Sequence, residues 1–238
     1  MFLQKDIKSK FNFISTKEFC LALLIMLATT VFSFVVVPIS LKKVLFAYKD
    51  FFNSHYFGIV MFFLSSILTS YIIYYFCCRR KNKTLQEGLF LNSVSTTTLL
   101  YIISIGSIMP LISLPVIFKF APSAFYAMDI AKTKEGLIYL FTCALFAPVF
   151  EEIFYRGFIF PFFQSKLNSF WAIIITSLFF GFSHFMNIGN AHILLSLFIL
   201  YGFVLTLIRY YTNSLIPPIV AHFIHNLILM ISFFIMSK

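Results

Sequence analysis

The chain of 238 residues is 61% hydrophobic and 20% aromatic, and only 11% of its residues are charged. With a mean hydropathy of +0.95, this composition excludes an ordinary soluble domain, in which about a quarter of the residues are charged. The net charge of +10 does not indicate nucleic-acid binding, because the basic residues lie between apolar runs and no phosphate-binding loop or zinc-finger spacing occurs. The sequence therefore indicates a membrane protein with no nucleic-acid partner.

Apolar segments follow one another along the chain, each long enough to cross a hydrocarbon core of about 30 Å. They cover residues 19–39, 57–78, 97–118, 136–160, 170–188, 192–209 and 215–236. The basic start and the first apolar run imitate a signal peptide, but the run is too long and no small-residue cleavage site follows, which predicts a retained helix. The pattern predicts an all-α, polytopic transmembrane bundle of about seven spans, with six to eight as the range.

Two of the predicted spans contain paired prolines. Pro110 and Pro115 lie in the third span and predict a kinked or split helix. Pro217 and Pro218 fall in the first turns of the last span, where a missing N–H group costs least.

Basic residues in alternate loops favour a cytoplasmic N-terminus, with a weak bias. Ten lie on the inner side in this arrangement: Lys5, Lys8, Lys10, Lys17, Arg79, Arg80, Lys81, Lys83, Lys166 and Arg209. Seven lie on the outer side: Lys42, Lys43, Lys49, Lys119, Lys132, Lys134 and Lys238.

Polar residues capable of proton transfer occur inside spans of the last hundred residues. An ionisable side chain at such a depth costs about 2.5–3.5 kcal/mol on insertion scales and usually marks a functional site. The set is Glu151, Glu152, Arg156, His184, His222, His225 and Asn226. The sequence therefore places the chemistry in the C-terminal half.

Helical spacing sorts these side chains into faces. Glu152 and Arg156 are four residues apart, a spacing that predicts an ion pair. This pair either belongs to the functional site or only holds the helices together. Glu151 points about 100° away from that pair. His222 and Asn226 are also four residues apart and predict a shared face for proton transfer and hydrogen bonding.

Two of the histidines have simpler alternatives. His184 follows Ser183, and instead of a functional role it could simply hydrogen-bond a neighbouring carbonyl. His225 is predicted to pack or to bridge. From the predicted span ends, Glu151 and His184 lie at different distances from the inner surface, so the two meet only if boundaries shift or helices tilt.

Three motifs on successive apolar helices resemble the CPBP family, which comprises type 2 CAAX prenyl proteases, Abi proteins and bacteriocin-processing or immunity proteins. They are Glu-Glu-x-x-x-Arg at 151–156, Phe-x-x-x-His at 180–184 and His-x-x-x-Asn at 222–226. The resemblance covers about residues 135–236, and it implies a catalytic transmembrane domain over 135–236 preceded by variable transmembrane helices over 1–134.

The resemblance implies an intramembrane endopeptidase. Glu151 would activate a water with the help of His184, and His222 and Asn226 would stabilise the oxyanion of the tetrahedral intermediate. These four are the expected catalytic residues.

Glu152 and Arg156 are expected to support the geometry of that site. The role of metal stays open: Glu151, His184 and His222 form a candidate three-ligand zinc set, whereas the absence of HExxH and a glutamate-driven mechanism slightly favour metal-free catalysis. No cofactor is firmly implied.

The expected partners are the lipid bilayer and a peptide or protein substrate that reaches the site within the membrane. The 14 lysines against 4 arginines and the 35 phenylalanines suggest an AT-rich bacterial genome and an integral plasma membrane protein. In such a host, peptide or bacteriocin processing and self-immunity rank ahead of CAAX-like C-terminal processing. The alternatives are a non-catalytic immunity or scaffold protein that binds a peptide or partner helix, and a proton-coupled transporter, which the lack of an internal repeat disfavours.

Overall fold

The computed structural model describes residues 14–44, 54–120, 130–185 and 192–236. Its helices are α1 Thr16–Val31, α2 Val37–Val44, α3 His55–Cys77, α4 Leu85–Gly88, α5 Thr96–Phe120, α6 Lys134–Phe154, α7 Phe160–Lys166, α8 Ser169–Ser183, α9 His192–Thr212 and α10 Ile216–Met236. Two π segments, Phe32–Val36 and Tyr155–Ile159, join α1 to α2 and α6 to α7.

Six stretches of the described helices are long and apolar enough to cross a membrane. They are Thr16–Leu41, His55–Lys81, Thr96–Phe120, Lys134–Lys166, His192–Thr212 and Ile216–Met236, with the shorter apolar helix Ser169–Ser183 between the fourth and the fifth. This arrangement confirms the predicted polytopic helical bundle, with six long spans and one short one in place of seven of similar length.

The predicted span at 170–188 is too long, because α8 ends at Ser183. The carbonyl of Phe180 accepts a hydrogen bond from the Ser183 hydroxyl at 2.7 Å and also lies 2.8 Å from Nδ1 of His184. The main-chain N–H of His184 turns to the carbonyl of Gly181 instead, at 3.0 Å. Competition from side chains for this carbonyl tightens the last turn and ends the helix.

Both proline pairs are accommodated within helices. α5 is continuous through Pro110 and Pro115, so the third span is not split. α10 begins at Ile216, which places Pro217 and Pro218 in its first turn as predicted.

Arg209 lies in the last turn of α9 rather than in the loop that follows it. α9 continues to Thr212, and Arg209 is 1% exposed within it. Its guanidinium group lies 4.5 Å from the centroid of the Phe90 ring and 6.0 Å from that of Phe160. An arginine head between aromatic faces is tolerated there, because cation–π attraction offsets part of the lost hydration.

Several lysines in the orientation count lie outside the described residues, namely Lys5, Lys8, Lys10, Lys49 and Lys238. The cytoplasmic N-terminus therefore stays a prediction.

Helices from both halves of the chain share one core. The largest cluster of buried apolar side chains joins Phe19 and Ile73 to Phe158 and Leu205. The ring of Phe19 stacks on that of Phe162 at 3.6 Å. α3 packs against α6, and α10 packs against both α5 and α6, so the N-terminal helices enclose the helices that carry the site residues.

The loop after α4 is pinned to the turn between α9 and α10. The N–H of Leu215 donates to the carbonyl of Phe90 at 2.9 Å, the Asn92 amide donates to the carbonyl of Asn213 at 3.1 Å, and the Ser214 hydroxyl donates to the carbonyl of Asn92 at 2.5 Å. These bonds hold the start of α10, and hence the position of His222.

Candidate active site

The acidic motif lies far from both ends of a long helix. α6, the π segment Tyr155–Ile159 and α7 form one stretch from Lys134 to Lys166. Glu151 lies 15 residues before the end of α7, and His184 lies 15 residues after the start of α8. At 1.5 Å per residue both are about 22 Å from the turn that joins the two helices, so the depth mismatch expected from the predicted boundaries disappears.

Glu152 and Arg156 form the ion pair that their spacing predicts. Nη1 of Arg156 lies 2.8 Å from Oε1 of Glu152, and both side chains are 0% exposed. Nη2 donates to the carbonyl of Gly202 at 2.8 Å, and Nε donates to the Thr206 hydroxyl at 3.3 Å. The guanidinium group is also 4.6 Å from the centroid of the Phe180 ring. Arg156 therefore ties α9 and α8 to the acidic motif.

His222 joins this buried pair from α10. Its Nδ1 lies 2.8 Å from Oε1 of Glu152, so one carboxylate oxygen binds both Arg156 and His222. Nε2 of His222 lies 3.9 Å from Oε2 of Glu151. The imidazole is 3% exposed and spans the two adjacent glutamates.

The Glu152 contact fixes which nitrogen of His222 faces the reactive side of the cluster. A carboxylate accepts only, so Nδ1 of His222 carries the hydrogen in the bond to Glu152. Nε2 is then the nitrogen that faces Glu151. Nε2 donates to an acceptor only when it carries a hydrogen as well.

Glu151 is the carboxylate of the cluster that is available for catalysis. It is paired with neither Arg156 nor another cation at hydrogen-bond distance among the described residues, and its buried Oε2 has no hydrogen-bond partner there. Its side chain is 31% exposed, whereas that of Glu152 is fully buried. Glu151 lines a groove of about 160 Å³ between α3 and α6, so it is accessible to a water or a ligand.

His184 is near the site, but its ring is engaged elsewhere. Nδ1 lies 2.8 Å from the carbonyl of Phe180 and 3.2 Å from the Ser183 hydroxyl, which is the simpler alternative expected from the sequence. The ring stacks on Phe198 at 4.3 Å. Phe180 stands between this ring and that of His222, with centroid distances of 4.8 Å and 5.8 Å.

The other polar residues of α10 have separate environments. Asn226 is partly buried one turn beyond His222, and its amide makes no hydrogen bond to a described residue. His225 is 6% exposed and packs 4.2 Å from Tyr201, in keeping with its predicted packing role.

The C-terminal part of the chain matches a known family over residues 133–228, a range that contains every site residue described above. The matching family model is described as type II CAAX prenyl endopeptidase Rce1-like. Residues 133–228 are thus similar to the Rce1-like family. No curated protein and no solved structure gave a significant match to the chain.

This match supports an intramembrane CAAX-type endopeptidase, and the six long apolar helices among the described residues indicate an integral membrane protein. A protease within a membrane has a peptide substrate and a lipid environment. The CPBP resemblance of the three motifs is thereby confirmed.

The candidate zinc ligands of the Rce1-like segment do not converge. Among the described residues, no group of three or more His, Cys, Asp or Glu side chains could hold a metal ion. Glu151 faces Nε2 of His222 at 3.9 Å. The Nδ1 atoms of His184 and His222 lie 2.8 Å from the carbonyl of Phe180 and the carboxylate of Glu152, contacts that leave Nε2 as the nitrogen a metal would use. The three side chains are nevertheless not grouped as a three-ligand site among the described residues.

Sequence reasoning missed the partners that the Rce1-like segment gives to Arg156. Gly202 and Thr206 lie in the predicted span 192–209, which contains none of the candidate site residues. The sequence feature that could have identified them is a glycine followed four residues later by a threonine, on one face of an apolar helix. The absence of a Cβ at Gly202 lets Phe180 approach, because an added Cβ would lie 3.0 Å from the ring.

Proposed function

We propose that the chain is an intramembrane endopeptidase in which Glu151 is the general base and His222 and Asn226 are the oxyanion donors. The observation that supports this most directly is the position of His222 between two adjacent glutamates. Glu152 binds Nδ1 at 2.8 Å, and Nε2 faces Oε2 of Glu151 at 3.9 Å. A single imidazole is thus oriented by one carboxylate and directed at the other.

In the first step, a water in the groove loses a proton to Glu151 while its oxygen attacks the peptide carbonyl carbon. The carbonyl oxygen becomes an oxyanion that accepts hydrogen bonds from Nε2–H of His222 and from the Asn226 amide. The Asn226 amide makes no hydrogen bond to a described residue, so it is available for this role. His184 would help to hold the water.

In the second step, the tetrahedral intermediate collapses and the bond between carbon and nitrogen breaks. The proton on Glu151 passes to the leaving nitrogen, and the products are an amine and a carboxylic acid, which then releases its own proton to solvent and becomes a carboxylate. Glu152 and Arg156 act by positioning, since the ion pair and its bonds to α9 keep His222 in place. No step is routed through a metal, and the candidate zinc set of Glu151, His184 and His222 stays a prediction.

The finer assignment concerns the substrate and the host. We propose a bacterial plasma membrane protein with a cytoplasmic N-terminus, catalytic spans over 135–236 and variable spans over 1–134. Its substrate would be a peptide or bacteriocin precursor or a membrane-protein tail, in processing or self-immunity, with CAAX-like C-terminal processing as the other possibility. The family description supports the CAAX-like class, and the lysine and phenylalanine content supports the bacterial host.

The deciding experiment compares peptide termini in membranes of cells that express the wild type or Glu151→Gln at equal levels. We expect termini that only the wild type produces, because loss of a general base slows the reaction about 10²–10⁴-fold. Glu135→Gln is the matched control, since Glu135 lies in the exposed first turn of the same helix and should leave cleavage unchanged.

Identical termini in wild type and Glu151→Gln, with the cellular phenotype retained, would refute the protease and leave a membrane protein that binds a peptide or partner helix. Adding a chelator and then Zn²⁺ to the purified chain separates the two chemical routes. Cleavage that persists in chelator supports the metal-free mechanism.

A further inference from the structure

The groove that contains Glu151 has a second wall, which comes from α3. Facing Glu151 and Tyr155, the groove is lined by the hydroxyl-bearing residues Ser65, Ser66 and Thr69. α3 lies outside the family match, which begins at residue 133. The other lining residues are apolar: Phe62, Ala147, Phe150 and Phe154.

The hydroxyl groups of this wall have no hydrogen-bond partner in the part of the chain that the structure describes. Serine and threonine in apolar helices usually bond a carbonyl of the preceding turn, as Ser107, Thr176 and Ser232 do here at 2.7–2.8 Å. Ser65, Ser66 and Thr69 make no such bond, nor any other hydrogen bond to a described residue.

Ser65 is 9% exposed and borders the groove. Its hydroxyl oxygen is not fully buried, whereas that of Ser70, which does not line the groove, is buried without a partner among the described residues. An unpaired hydroxyl in an apolar setting is costly, and a water or a ligand in the groove can complete that of Ser65.

The spacing of these hydroxyls fits an extended peptide. Ser65 and Thr69 are four residues apart, so they share a face and are separated by about 6 Å along the helix. An extended chain repeats every two residues, at about 6.6–6.8 Å. Glu151 and Tyr155 have the same four-residue spacing on the opposite wall. A peptide running along the groove would therefore present main-chain groups to both walls at matching intervals.

We propose that Ser65, Ser66 and Thr69 bind the main chain of an extended peptide substrate and hold its scissile carbonyl beside Glu151. The proposal rests on the proposed endopeptidase function. The three residues are substrate-positioning residues supplied by the N-terminal spans. Because hydroxyls bind main-chain N–H and C=O groups of any sequence, this wall selects extended backbone, and the aromatic residues of the groove select apolar side chains.

The test uses a short synthetic peptide that spans a cleavage site found in the comparison of termini. Hydrolysis by the purified chain in lipid nanodiscs gives kcat and KM for Thr69→Val, Thr69→Ser and Ser65→Ala. We expect Thr69→Val and Ser65→Ala each to raise KM about 2- to 12-fold, the range of one net hydrogen bond, with kcat within about twofold. Thr69→Ser keeps the hydroxyl and should behave as the wild type.

A second peptide, with the amide bonds flanking the cleavage site replaced one at a time by esters, tests the main-chain contact itself. An ester lacks the N–H donor and is a poorer acceptor. One replacement should weaken binding by the wild type several-fold and have little further effect on the Thr69→Val or Ser65→Ala variant. Ser70→Ala is the matched control, because Ser70 lies on the same helix but does not line the groove.

The outcomes are distinguishable. If Glu151→Gln abolishes cleavage while Thr69→Val and Ser65→Ala leave KM unchanged, the positioning role is wrong and the endopeptidase stands. If Ser70→Ala raises KM as much as they do, the effect is a general change in α3 and the positioning role is again wrong. If Glu151→Gln still cleaves, the proposed function itself fails.

Discussion

Replacing Arg156 tests whether the buried ion pair holds the site together. Arg156→Met keeps an unbranched side chain but removes the bonds to Glu152, Gly202 and Thr206. Glu152 would keep only its bond to His222, with Oε2 already lacking a partner. Leaving a fully buried charge without its partner costs about 3–5 kcal/mol. The equilibrium constant of unfolding should therefore rise about 10²–10⁴-fold.

The assay is denaturant unfolding in detergent micelles followed by circular dichroism. The double variant Glu152→Gln/Arg156→Met removes both charges and retains an acceptor for His222. We expect it to be more stable than Arg156→Met alone by about 2 kcal/mol or more, because no uncompensated charge remains. Arg80→Met is the matched control: its 3.5 Å pair with Glu18 is half exposed, so its loss should cost only about 0–1 kcal/mol.

Two results would refute this reasoning. One is a cost below about 1 kcal/mol for Arg156→Met. The other is a double variant whose loss equals the sum of the two single losses, since independent sites add and a coupled pair does not.

Three further perturbations test other parts of the structure. Gly106→Ala should cost about 1–3 kcal/mol in unfolding free energy, because an added Cβ would lie 2.7 Å from the carbonyl of Ala221 and force α5 from α10; Gly58→Ala, which meets only an ordinary 3.6 Å contact, should be neutral or stabilising. Asn92→Ala should lower unfolding free energy by about 0.5–1.5 kcal/mol through the lost bond to the loop before α10. Glu151→Gln should leave unfolding free energy unchanged or raise it, since the carboxylate has no close cation; a loss comparable to that of Arg156→Met would give Glu151 a structural role.

Composition and spacing predicted the parts of the fold that depend on local sequence. The long apolar runs predicted the helices, and the four-residue spacing predicted the pair of Glu152 and Arg156. Pro217 and Pro218 marked the start of the last helix. Each of these depends on residues within one helix, so a single sequence contains the necessary information.

What could not be predicted depends on contacts between helices. Glu152 and His222 are 70 residues apart, and no local rule indicates that Nδ1 of His222 binds the second glutamate while Nε2 faces the first. Arg209 looked like a loop charge because its aromatic neighbour Phe90 lies in a distant loop. α8 ends early because the side chains of Ser183 and His184 both contact the carbonyl of Phe180. The pattern of apolar residues alone does not predict this.

The π segment at Tyr155–Ile159 has a consequence for how this sequence tolerates length changes. A π turn contains one more residue than an α turn, and one residue corresponds to about 100° of helical rotation. Deleting a single residue there would convert the wide turn into an ordinary α turn, so the stretches before and after the segment would keep about their present faces. Among aligned relatives, a one-residue gap within residues 155–159 should therefore be tolerated better than a gap elsewhere in the same long helix.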